Sequence, residues 1–66
     1  MKFIEFDDAL FNAKYIGKVV KLKGTNAYQG KFSITLVLDG FENKTEWFDT
    51  EEERDKRFNE IKNMLI

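Results

Sequence analysis

Five carboxylates crowd into FDTEEERDKRF, residues 48–58: Asp49, Glu51, Glu52, Glu53 and Asp55. Paired carboxylates can share a proton for acid–base work or hold a hard cation. On a helix, consecutive side chains point about 100° apart, so Glu51, Glu52 and Glu53 cannot converge on one ion. Glu51 and Asp55 lie four apart and could, yet two carboxylates without a third ligand make a weak site. The remaining carboxylates suited to metal-dependent hydrolysis are Asp7, Asp8 and Asp39, and adjacent Asp7-Asp8 reads more simply as a turn.

Nucleophilic catalysis needs an activated side chain beside a base. The only serine is Ser33, in a strand pattern, and the chain contains no histidine and no cysteine. Disulfides, thiolate metal sites and imidazole chemistry are therefore excluded. The glycine-bounded stretch GTNAYQG, residues 24–30, matches neither a Walker loop nor a dinucleotide fingerprint. No enzyme and no cofactor is expected.

A basic stretch offers different chemistry. Residues 9–38 hold Lys14, Lys18, Lys21, Lys23 and Lys31 with no acid, a local charge of +5, whereas residues 39–66 carry −4 and residues 1–8 carry −2. Lys21, Lys23 and Lys31 beside the stackable Tyr28 could bind a nucleotide or single-stranded nucleic acid. The simpler reading is that lysines solubilise a sheet edge and discourage strand addition. The net charge of −1 also weighs against bulk nucleic-acid binding.

These residues must be positioned by a small set of elements. KFIEF reads as a first strand ending at Asp7-Asp8, and residues 10–16 read as a strand or bend. Gly17 and the β-branched Val19-Val20 favour a strand over residues 18–23, with Val20 and Leu22 inward and Val19, Lys21 and Lys23 outward. FSITLVL alternates cleanly, with Phe32, Ile34, Leu36 and Leu38 on one face. Asp39-Gly40 then signals a two-residue hairpin, a register that pairs Phe32 with Trp47 and turns Trp47 inward. A one-residue slip would turn Phe48 inward instead. Thr50 and Glu53 form a T-x-x-E capping box, and Glu51 to Glu53 suit the positive end of a helix dipole. Arg54, Phe58, Ile61 and Leu65 follow on one face at helical spacing, and Met64 widens that stripe.

The expected architecture is thus α+β: one domain over residues 1–66, an antiparallel meander of about four strands with the C-terminal amphipathic helix on one face. The expected core is Ile4, Phe6, Val20, Leu22, Phe32, Ile34, Leu36, Leu38, Trp47, Phe58, Ile61 and Leu65. At 66 residues the chain buries only about 60% of its unfolded surface, so reinforcement is needed. Without disulfides that leaves self-association, which the 42% hydrophobic and 15% aromatic content permits. One sheet covered by one helix leaves a second face in water, and the interface is expected to use Phe3, Val19, Val37 and Phe48. A homodimer or a protein partner is the expected occupant. MKFIEFDD has no apolar leader core, and no apolar run approaches the roughly 20 residues of a spanning helix, so a cytoplasmic protein without membrane contact is expected.

The order DDALFNAKYIGKV, FSITLVLDG, FDTEEERDKRFNEI resembles a pattern of small bacterial and phage-encoded α+β proteins, in which a D-G-x-L-I-N start leads through a hairpin to an F-D-S/T-E-E-E helix. Here Asp8-Ala9 stands where that pattern has Asp-Gly, which bears on the first hairpin. The resemblance implies a small cytosolic accessory protein, in phage one that blocks a host enzyme or defence system. Its motifs are turns and caps, and it transfers no functional residue.

Overall fold

A computed structural model of the protein describes residues 2–66. The chain forms β1 (Phe3–Phe6), β2 (Ala9–Asn12), a 3-10 turn (Ala13–Tyr15), β3 (Ile16–Lys23), a second 3-10 turn (Asn26–Tyr28), β4 (Phe32–Leu38), β5 (Lys44–Phe48) and α1 (Glu51–Leu65). The fold is α+β. Among the described residues the strands number five, in two antiparallel sheets: the β1–β2 hairpin and a β3–β4–β5 sheet.

The first hairpin closes across Asp7-Asp8, with Phe6 opposite Ala9. Both aspartates adopt left-handed backbone, φ 53° and 60°, the geometry of a type I′ turn. Glycine would adopt it without the steric cost that a Cβ brings. The Asp7 N–H donates to a Glu46 carboxylate oxygen at 3.0 Å, which ties the turn to β5.

Ile4, Phe6, Ile34, Leu36, Leu38 and Ile61 are the buried apolar core. Phe11, Ile16, Val19, Phe48, Phe58 and Leu65 pack around them. The β1–β2 hairpin and α1 therefore cover the same face of the β3–β5 sheet, and the opposite face carries no helix. Each buried side chain of this kind contributes about 1.5–3 kcal/mol.

Two parts of the expected core are corrected. Val20 and Leu22 do not face the core, because β3 carries a register shift between Ile16 and Lys18. The bulge at Gly17 brings Ile16 and Val19 to the same side, which simple alternation would separate. Trp47 is also not in the core. β4 and β5 pair Phe32 with Phe48 and Ser33 with Trp47, the one-residue slip from the two-residue turn. The Asp39 N–H donates to the Tyr15 carbonyl at 2.7 Å, so β4 continues along β3 and the connection to β5 spans residues 39–43.

The slip is stabilised on both faces. It packs Phe48 against the core and turns Glu46 toward the helix, where Arg57 Nε meets Glu46 Oε1 at 3.1 Å. It sends Trp47 to the open face, where its indole stacks on Tyr28 at 4.4 Å between ring centroids, 12° from parallel. The Thr35 and Thr45 hydroxyls hydrogen-bond across that face at 2.9 Å.

The helix starts as its sequence dictates. Thr50 Oγ1 accepts the Glu53 N–H at 3.1 Å and donates to Glu53 Oε1 at 3.0 Å. Arg54 is buried against the Phe32 ring, 5.3 Å from its centroid. Its guanidinium donates to the Leu22 carbonyl and to Asp55 Oδ1, each at 3.1 Å. One arginine thus fastens α1 to the sheet, and the charge run at residues 48–58 is accounted for by the helix.

Candidate interaction surfaces

The expected interface residues separate. Phe3 is half exposed on the outer face of the first hairpin, and Val37 lies partly buried on the open sheet face beside Lys18. Val19 and Phe48 are partly buried against the core on the helix side of the sheet, away from Val37, a consequence of the Gly17 bulge and the β5 register.

What gathers around Phe3 instead is a surface that sequence reading missed. On β1–β2, Phe3 and Leu10 share the outward face, since Phe3 sits opposite Asn12 and Glu5 opposite Leu10. Tyr15 leaves the 3-10 turn beside them, and Phe41 rises from the long β4–β5 connection to meet the Tyr15 ring edge-on at 5.4 Å. Phe3, Leu10, Tyr15 and Phe41 are 52%, 70%, 38% and 61% exposed. With Phe11 and Leu38 at its floor and Lys44 at its rim, they line an apolar recess of about 570 Å³. The signal was available in Leu10 and Phe41, large apolar residues that lie outside the expected core.

The open sheet face forms a second apolar area, with Leu22 and Trp47 nearly half exposed and Val20, Thr35, Val37 and Thr45 between them. The 24–31 loop folds over one end of it through Tyr28, and Ser33 is buried beneath.

The lysines of the nucleotide reading disperse. Lys21 lies on the helix face, 3.8 Å from Asp55 and 4.9 Å from the Phe58 ring. Lys31 is held by Asp49, and the Asp49 carboxyl is drawn below its ordinary pKa by that hydrogen bond and by the Lys31 charge. Tyr28 gives one ring face to Trp47 on the opposite side of the sheet from Lys21 and Lys23. The arrangement does not bring Lys21, Lys23, Tyr28 and Lys31 together.

Asp7 and Asp8 share a surface with Glu46 and Arg57. Among the described residues, no group of three or more His, Cys, Asp or Glu side chains is placed to hold a metal ion. Nor is any helix long and apolar enough to cross a membrane. No family model matches the chain, and no curated protein or solved structure matches it.

Proposed function

We propose that this protein is a small non-catalytic interaction module that pairs with a second copy of itself, or with a partner protein, through the Phe3–Leu10–Tyr15–Phe41 surface. The single observation behind this reading is that four large apolar side chains, each more than a third exposed, surround one recess. Apolar groupings of that kind commonly mark interfaces. The chain also exposes 4817 Å², against roughly 4,400 Å² for a typical monomer of 7.8 kDa. Covering the recess would remove this surplus and supply reinforcement that no disulfide provides.

A cytoplasmic accessory role, acting by occluding another protein's surface, agrees with the resemblance to small bacterial and phage-encoded proteins. The test is light scattering on the native protein and on Leu10→Asp and Phe41→Asp. Both positions are exposed, so each variant should stay folded while the mass falls from two chains to one. A native protein that scatters as a single chain at high concentration, and that shows no recess-dependent partner, would remove the reading.

A further inference from the structure

The free edge of β3 lies beside an apolar groove against α1. β3 is eight residues long and pairs with β4 on one side only. The Gly24 N–H donates to the Lys31 carbonyl at 2.9 Å, which fixes the phase of the ladder. In antiparallel pairing, bonded and non-bonded positions alternate, so Leu22 and Val20 point their backbone groups at β4. The N–H and C=O groups of Val19, Lys21 and Lys23 therefore point outward. Among the described residues, no side chain or loop hydrogen-bonds to them.

Val19, Phe58, Ile61, Lys62, Leu65 and Ile66 line a groove of about 320 Å³ between this strand and α1. A strand added to β3 would send alternate side chains toward that groove, and the backbone would supply affinity while the groove selects the residue.

Charge decides what that strand is. A second copy of β3 laid antiparallel would crowd three lysines of one strand, Lys18, Lys21 and Lys23, alongside three of the other, and like charges brought together across strands are destabilising. Among the described residues Lys23 and Lys62 have no acidic partner within salt-bridge distance. Lys62 flanks the groove from the helix, and Lys23 lies two positions beyond Lys21 on the same face of β3.

We infer that β3 and the β3–α1 groove bind an extended acidic segment of a partner protein by strand addition. Its pattern is acidic, three of any kind, large apolar, any, acidic: paired antiparallel to β3, the apolar side chain enters the groove beside Val19, the first carboxylate lies opposite Lys23 four positions along the strand, and the second meets Lys62 at the groove. This rests on the interaction-module reading but uses a different face of the molecule, so the mass measurements on Leu10→Asp and Phe41→Asp do not decide it.

The test is amide NMR titration with the peptide acetyl-Glu-Thr-Thr-Thr-Leu-Thr-Glu-amide. Two controls accompany it: the same peptide with lysine for glutamate, and the acidic peptide N-methylated at alternate residues. The acidic peptide should give saturable shifts centred on Val19, Lys21, Lys23 and Leu65. It should also slow hydrogen exchange at the Val19, Lys21 and Lys23 amides. Affinity should weaken about tenfold as ionic strength rises from about 0.01 M to about 1 M, where the Debye length shrinks from about 30 Å to about 3 Å. The N-methylated and lysine peptides should bind at least tenfold more weakly, and a Lys23→Glu, Lys62→Glu double variant should prefer the lysine peptide. Absence of saturable shifts would overturn the inference. So would equal binding of all three peptides, shifts confined to the Phe3–Phe41 recess, or Val19, Lys21 and Lys23 amides already protected by a second copy and released on dilution.

Discussion

Single side chains carry much of the order in this molecule, and Arg54 is the clearest case. Its guanidinium stem covers Phe32, its nitrogens reach the Leu22 carbonyl and Asp55, and Glu51 lies 3.4 Å away. Arg54→Ala removes a charge-assisted bond and buried contact area together, and should destabilise the fold by about 2–3 kcal/mol in urea denaturation. Lys31 and Asp49 form a different kind of pair, exposed and local. Lys31→Ala should move the Asp49 titration upward to the ordinary carboxylate range, read from its side-chain NMR shifts. Because the folded pKa is depressed, the stabilisation from this pair is present above the unfolded carboxylate pKa. It is lost as pH falls through the folded value. Phe48 shows why orientation had to be seen. Read as an exposed contact, Phe48→Asp would leave the fold intact; packed against the core as it is, the substitution should unfold the protein.

At the scale of elements, the sequence made some features legible and hid others for identifiable reasons. The helix was readable to its first residue, because Thr50, Glu53 and the 54–58–61–65 stripe are local signals that agree. Six of the twelve expected core residues are the buried core, and each lies where alternation or helical spacing is uninterrupted. The errors came from two places where backbone detail overrides period. A bulge at Gly17 reversed β3, and pairing of β4 with β3 beyond Leu38 lengthened the second turn and slipped β5 by one residue.

The interaction surface was half visible, since Phe3 was recognised and Leu10, Tyr15 and Phe41 were not. Their grouping depends on a turn type that Asp39-Gly40 alone did not determine. The first hairpin offers a direct check. Asp8 sits at φ 60°, so Asp8→Gly should relieve left-handed strain and stabilise by about 1 kcal/mol. In a domain of this size that raises Tm by roughly 4–8 °C in calorimetry. The second loop offers the reverse. A Cβ at Gly24 would overlap the Tyr28 carbonyl oxygen, so Gly24→Ala should displace the 24–31 loop and unstack Tyr28 from Trp47. Trp47 fluorescence should then shift to the red.

At the scale of the whole molecule, the governing fact is a small core and a large surface. Among the described residues six apolar side chains are buried, and the chain extends over 36 × 23 × 18 Å. Its radius of gyration of 11.8 Å exceeds the roughly 10.8 Å expected of a compact chain of this length. An interface over the Phe3 recess would complete the burial that one chain leaves unfinished. The most direct measurement is hydroxyl-radical footprinting of the concentrated protein, which reads the solvent access of each side chain. Protection of Phe3, Leu10, Tyr15 and Phe41, with Trp47 and Met64 still reactive and the protection lost on dilution or in Leu10→Asp, is the predicted result. Modification of Phe3, Leu10 and Phe41 in proportion to their exposure in the single chain would contradict it.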